Sequence, residues 1–85
     1  MKRKTKRQPF RVVVKYRGMF NIDKDALIRL CADREEVGGG QLLGEQPERD
    51  LEFAFGRRLT AVDAAKSIKN GCRGVRVEVY GRIWP

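Results

Sequence analysis

The residues best suited to chemistry in this chain are the basic side chains near its N-terminus. Residues 1–17 contain eight bases and no acid, which leaves 11 of the 19 bases against all 11 acids in residues 18–85. The whole formal charge of +8 therefore belongs to the first 17 residues. Because a block of like charge repels itself, this pattern indicates a polyanionic partner. The eight bases are Lys2, Arg3, Lys4, Lys6, Arg7, Arg11, Lys15 and Arg17.

Catalytic residues are hard to find in this sequence. It contains no histidine, so the commonest general base is missing and a Cys-His or Ser-His pair is excluded. The 11 acids are scattered and often stand beside bases, which is typical of solvated charges or cross-strand pairs. We therefore expect a protein that is not an enzyme and that has no cofactor.

The two cysteines, Cys31 and Cys72, lie far apart in the sequence. Two thiols without an imidazole cannot complete the tetrahedral ligand set of a structural zinc site, so no metal is expected. A disulfide would require an oxidising compartment, which nothing in the sequence indicates. We expect two free, mostly buried thiols.

The location of the protein is predicted from what its sequence lacks. No apolar run approaches the roughly 18 residues of a membrane span. Residues 1–7, MKRKTKR, also lack the apolar stretch of a signal peptide. We expect an intracellular, cytoplasmic protein that does not contact a membrane.

Three segments have the period-two alternation of half-buried strands. Residues 10–17 alternate apolar Phe10, Val12, Val14 and Tyr16 with mostly basic residues, and residues 49–56 place Leu51, Phe53 and Phe55 on one face. Residues 74–84 place Val75, Val77, Val79 and Ile83 on one face. A weaker strand is predicted at residues 41–44, after a flexible connection at Gly38–Gly40 and before a turn at residues 45–48.

Two segments have the apolar spacing of amphipathic helices. In the first, Asp23 is the predicted N-cap of a helix over residues 24–34, whose buried stripe would be Ala26, Leu27, Leu30 and Cys31. In the second, Thr60 would cap a helix over residues 61–70 with Gly71 as its stop. Its stripe would be Ala61, Ala64, Ala65 and Ile68.

The order strand, helix, weak strand, strand, helix, strand predicts an α+β fold. We expect a two-layer βαββαβ (ferredoxin-like) sandwich, with two helices on one face of a four-stranded antiparallel sheet. Residues 1–9 would be a disordered basic arm, and residues 10–85 a single α+β domain.

The predicted function is nucleic-acid binding, or association with a nucleoprotein. The arm would supply affinity through counterion release. The last strand is expected beside the first, and basic and aromatic groups would then share the outer sheet face, where they could hold phosphates and stack bases. The residues that would join Arg11, Lys15 and Arg17 there are Arg76, Tyr80, Arg82 and Trp84.

The sequence is also compatible with two alternatives. The outer sheet face could be an ordinary salt-bridged surface, in which Glu52 and Glu78 pair with Arg11 and Lys15. The protein could also be an interaction or regulatory module that forms a homodimer through a weak edge strand, or that binds an acidic protein partner. Whether a nucleic-acid partner would be DNA or RNA is not encoded in any motif of the chain.

Overall fold

The fold is an α+β arrangement of two helices and one four-stranded antiparallel sheet, as the sequence predicts. The structure is a computed structural model that describes residues 8–81. Within that range the strands form one sheet in the order β2-β3-β1-β4. The elements are β1 (Phe10–Arg17), α1 (Ile22–Ala32), β2 (Gly38–Leu42), β3 (Glu48–Phe55), α2 (Arg58–Gly71) and β4 (Val75–Tyr80).

Two groups of predictions fall outside the described residues. Residues 1–7, which hold five bases of the predicted arm, precede the described range. Residues 82–85, which include Arg82, Ile83 and Trp84 of the predicted last strand, follow it.

The core lies between the helices and one face of the sheet. The predicted inward residues of β1 and β3 are buried there, Phe10 only partly, as is the complete predicted stripe of α2. Alanines dominate that stripe, so α2 lies close to the sheet. The core side chains from these three elements are Val12, Val14, Tyr16, Leu51, Phe53, Phe55, Ala61, Ala64, Ala65 and Ile68.

The buried face of α1 differs from the prediction. Its buried residues are Asp25, Ile28 and Ala32, whereas Leu27 and Leu30 are 42% and 75% exposed. Of the predicted apolar stripe only Cys31 packs against the core; the rest was wrong because the helix turns the Asp25 carboxylate, not a leucine, toward the sheet. An ion pair with Arg49 of β3 compensates the burial of Asp25.

The start of α1 also lies earlier than predicted. Asn21, not Asp23, is the N-cap, and its Oδ1 accepts hydrogen bonds of 3.0 Å from the backbone amides of Asp23 and Lys24. Asp23 lies inside the first turn, where a negative charge interacts favourably with the helix dipole.

The glycine-rich segment is a strand and not the flexible connection that was predicted. Gly38–Leu42 pairs antiparallel with β3, so the strand begins three residues before the predicted one. A Cβ at Gly39 would lie 2.6 Å from the backbone oxygen of Asp50. The glycine is therefore required by the close approach of two backbones.

The ends of α2 are shifted as well. Arg57 is the N-cap and makes no side-chain capping bond, and the predicted cap Thr60 donates its hydroxyl to the Arg57 oxygen at 2.9 Å. Gly71, predicted as the stop, is the last helical residue. Neither helix among residues 8–81 has the length and apolarity needed to cross a membrane.

Candidate nucleic-acid interface

The outer face of the sheet brings together five of the predicted site residues. The register of β1 with β4 places Arg11 opposite Tyr80 and Lys15 opposite Arg76, and Arg17 ends β1 on the same face. The other seven predicted residues lie outside the described part of the chain. They are Lys2, Arg3, Lys4, Lys6, Arg7, Arg82 and Trp84.

Most bases on this sheet face are paired with acids. The Nε of Arg11 lies 3.0 Å from Oε2 of Glu52, and the Nζ of Lys15 lies 3.9 Å from Oε1 of Glu78. These are the two pairs that the salt-bridged alternative predicts.

The remaining bases of the face are Arg76 and Arg17. Arg76 pairs with Glu48, and within residues 8–81 Arg17 forms no salt bridge. Strand parity adds Asp50 to the acids of this face, so its four bases face four acids. The described part of the sheet face is therefore electrically balanced and attracts a polyanion weakly.

Tyr80 does not extend the basic character of the sheet face. Its hydroxyl donates a 2.6 Å hydrogen bond to Oε1 of Glu78. That bond, together with the charge of Lys15, lowers the pKa of Glu78 and keeps the carboxylate ionised. A nucleobase that stacked on the Tyr80 ring would therefore lie beside the negative charge of Glu78.

An open cleft of about 880 Å³ lies at the end of the sheet where β1 finishes and β4 begins. Four bases and two acids line it, so its charge balance is weakly positive. One base, Lys24, was not predicted as a site residue, and its Nζ lies 4.9 Å from the centre of the Tyr16 ring. The charged lining residues are Lys15, Arg17, Lys24, Arg76, Glu45 and Glu48.

A stronger basic surface lies on α2 and its flanking residues. Residues 57–73 contain five bases and one acid, Asp63, and all six side chains are exposed. Within the described range none of the five bases forms a salt bridge. We call this set the α2 basic surface; its members are Arg57, Arg58, Lys66, Lys69 and Arg73.

Helical geometry places three of these bases on one stripe. Arg58, Lys66 and Lys69 are separated by eight and three residues, spacings that return to nearly the same side of an α-helix. This stripe lies about a quarter turn from the centre of the buried alanine stripe, so it flanks the packed face of α2. Its three exposed side chains span about 16 Å along the axis, at about 1.5 Å per residue.

The first described residue, Gln8, lies at the same end of the domain as the start of α2. Phe10 pairs with Phe55 in the sheet, and Phe55 precedes Arg57 and Arg58 by only two and three residues. The chain therefore enters the described structure, at Gln8, near the first bases of the α2 basic surface.

The α2 basic surface was missed because charge was counted over too wide a window. Residues 18–85 are neutral as a whole, but nine of their 11 acids lie in residues 23–52, and bases concentrate around α2. A count over residues 57–73 alone would have found the surface from the sequence.

No protein-family model, no curated protein and no solved structure matches this chain. Within residues 8–81, no group of three or more potential ligand side chains is arranged to hold a metal ion.

Proposed function

We propose that this protein binds nucleic acid without catalysing a reaction, and that its N-terminal arm and α2 basic surface contact the phosphate backbone. The observation that carries the proposal is the set of five exposed bases on residues 57–73, which make no ion pair in the described chain. Unpaired surface cations hold diffuse counterions, whose release on phosphate binding drives association.

The outer sheet face is the competing location for the same function. Its cations would first have to leave Glu48, Glu52 and Glu78, and its net charge is balanced. Surface ion pairs are weak, so this exchange is possible, but it provides little electrostatic attraction at long range. The α2 basic surface has no such competition, and this favours it.

Matched double variants distinguish the two surfaces. Lys66→Gln/Lys69→Gln removes two charges from α2, and Lys15→Gln/Arg17→Gln removes two charges from the sheet face. Both pairs of side chains are at least partly exposed, so both variants are expected to fold. Affinity is measured by fluorescence anisotropy with labelled single- and double-stranded DNA and RNA across a salt series.

The α2 variant should bind more weakly than the sheet variant. Its slope of log K against log salt should fall by about 0.9 per lost duplex phosphate contact, or about 0.7 for single strands. A larger loss in the sheet variant would move the interface to the sheet. Equal losses would indicate a response to net charge alone.

Deleting residues 2–7 should weaken binding and flatten its salt dependence. Unchanged affinity would exclude the arm from the nucleic-acid interface.

We also infer that the finer fold assignment is ferredoxin-like. Support comes from the element order β1-α1-β2-β3-α2-β4 and from β1 lying between β3 and β4. Contacts across β1–β4 and β2–β3 in solution, observed as backbone amide and Hα NOEs, test this assignment. Absence of β1–β4 contacts would contradict it.

A second candidate function is self-association through β2. Among the described residues β2 pairs with β3 alone, so its other edge has unsatisfied backbone groups. Gly38, Gly39 and Gly40 place no side chains there to block a second strand. Sedimentation velocity at increasing concentration tests the idea: a concentration-dependent dimer supports it, and a strict monomer contradicts it.

A further inference from the structure

Two cysteines that are far apart in the sequence meet between the helices. Cys31 is in the last turn of α1, and Cys72 directly follows α2 as its C-cap. Their Sγ atoms are 4.0 Å apart, and both are free thiols. A disulfide bond is about 2.05 Å long, so the two sulfurs must approach by about 2 Å to form one.

The residue before Cys72 makes room for this contact. A Cβ at Gly71 would lie 2.6 Å from the Sγ of Cys31. Gly71 is helical, and its φ lies outside the left-handed region, so the backbone does not require glycine there. The space that it leaves is occupied by the Cys31 thiol.

The two thiols differ in access to solvent. Cys31 is partly exposed, whereas Cys72 is only 8% exposed. Burial, reinforced by the neighbouring Cys31, raises the pKa of Cys72 to about 11 and keeps it protonated. A small oxidant therefore reaches Cys31 first, and Cys72 is placed to react second.

We propose that Cys31 and Cys72 are a redox pair that a hydroperoxide converts to an intramolecular disulfide linking α1 to α2. The Cys31 sulfur attacks the peroxide, its S–H proton is lost, and Cys31 becomes a sulfenic acid as the first water or alcohol leaves. The Cys72 sulfur then attacks Cys31, the S–O bond breaks, and a second water leaves with the remaining proton. Two thiols lose two electrons, and one peroxide O–O bond gains them.

This modification is independent of nucleic-acid binding and has its own test. The reduced full-length protein is treated with hydrogen peroxide, and free thiols, intact mass and a non-reducing peptide map are followed. We expect the free thiols to fall from two to none, with a mass loss of two hydrogens and one peptide linking Cys31 to Cys72. Retention of both thiols, or oxidation only to intermolecular dimers or sulfinic acid, would overturn the proposal.

Single variants test the order of the two steps. Cys72→Ser should stop at a Cys31 sulfenic acid, which dimedone traps, whereas Cys31→Ser should leave a thiol that peroxide oxidises at least tenfold more slowly. Equal peroxide sensitivity of the two variants would contradict Cys31 as the first site. Because Cys72 is buried, near-ultraviolet circular dichroism of each variant verifies the fold before oxidation.

Thermal unfolding supplies a readout that does not depend on thiol chemistry. A disulfide between Cys31 and Cys72, which are 41 residues apart, closes a long loop of the chain. It should raise the Tm of the oxidised wild-type protein by on the order of 10 °C, and dithiothreitol should reverse the rise. An oxidised protein with an unchanged or lowered Tm would show that the bond strains the helices, against the proposed geometry.

Discussion

The guanidinium of Arg49 holds the carboxylate of Asp25 inside the protein. Nη2 and Nε of Arg49 lie 2.8 and 3.1 Å from Oδ2 of Asp25, whose side chain is completely buried. The Tyr16 hydroxyl donates to Oδ1 at 2.6 Å, so both carboxylate oxygens are hydrogen-bonded. This network joins α1 to β1 and β3. Arg49 extends it to β2 by donating to the Gly40 oxygen at 3.2 Å.

Removing either charge of the Asp25–Arg49 pair should destabilise the fold severely. Asp25→Leu leaves the Arg49 guanidinium without its partner in a site where that side chain is only 16% exposed. The expected loss in free energy of unfolding is about 3–5 kcal/mol, measured by urea denaturation. The double variant Asp25→Leu/Arg49→Met should lose less than Asp25→Leu alone, because no unpaired charge remains.

Asp23→Asn is the matched control for this prediction. Asp23 is an exposed carboxylate two residues earlier on the same helix, so its replacement should cost no more than about 1 kcal/mol through the helix dipole. Similar losses in free energy of unfolding at the two positions would mean that the buried Asp25 contributes no more to stability than an exposed carboxylate.

Tyr16→Phe should reveal the contribution of the hydroxyl to this network. The hydroxyl donates to Asp25 and accepts a 3.0 Å bond from the Asn21 amide, so its loss should cost about 1–3 kcal/mol. Tyr80→Phe, on the exposed sheet face, is the control and should leave the free energy of unfolding nearly unchanged. Urea denaturation at neutral pH measures both variants.

The same hydroxyl should make stability fall at alkaline pH. Burial, and then the hydrogen bond to Asp25, raises the folded-state pKa of Tyr16 above its ordinary value of 10.0. The contribution of the Tyr16 hydroxyl to the free energy of unfolding is therefore fully present below pH 10.0 and is lost as pH rises through the folded-state pKa. Unfolding free energies from neutral pH to pH 11.5 should fall more steeply for the wild type than for Tyr16→Phe; parallel curves would contradict this assignment.

The parts of the fold that the sequence predicts well are those in which apolar side chains face the core. Alternation in residues 10–17 and 49–56 identified both central strands and their inward faces, and the alanine stripe identified the packed face of α2. In each case the buried side chain is itself apolar, so period and hydropathy agree.

The errors have two physical causes. The face of α1 was missed because Asp25 enters the core with a partner 24 residues away on β3, which no local pattern encodes. The start of β2 was missed because three glycines suit a loop, yet here Gly39 permits a close backbone approach to Asp50. Both features arise from tertiary contacts that override local preference.

The candidate interface was predictable only in part. The bases of residues 1–17 stand out by charge alone and their role stays a prediction, whereas the balance of the sheet face depends on strand register, which places Glu48 beside Arg76 across the sheet. Conversely, the α2 basic surface follows from local composition together with helical period and was available from the sequence.

Replacing Glu36 should lower stability at neutral pH and have little effect in acid. Arg29 binds the Glu36 carboxylate with both Nε and Nη2, at 2.5 and 2.9 Å, and this lowers the pKa of Glu36 to about 2. The pair's stabilisation is therefore fully present above the ordinary pKa of 4.5 and is lost as pH falls towards 2. Because both groups are partly exposed, Glu36→Gln should cost only about 1 kcal/mol at pH 7.

Glu35→Gln is the matched control for the pH experiment. Glu35 is 90% exposed and lies 3.9 Å from the Nε of Arg29, so its replacement should change stability by less than about 0.5 kcal/mol at any pH. Urea denaturation between pH 2 and 7 should show the wild-type and Glu36→Gln stabilities converging towards pH 2. A constant difference would mean that the pair does not titrate as the geometry indicates.

Adjacent glycines of β2 should respond in opposite ways to a single methyl group. At Gly39 the new Cβ would lie 2.6 Å from the Asp50 backbone oxygen, so Gly39→Ala must displace β2 from β3 and should cost about 1–3 kcal/mol. At Gly38 the nearest atom would be Oε1 of Glu52 at 3.9 Å, an ordinary contact. Gly38→Ala should therefore be neutral or stabilise by up to about 1 kcal/mol, since alanine restricts the unfolded chain.

Urea denaturation measures the stability of both variants. Hydrogen exchange at the Val37 amide, which donates to the Glu52 oxygen at 2.7 Å, reports whether the β2–β3 pairing opens. Equal stabilities with unchanged protection at Val37 would show that the two strands do not approach as closely as described.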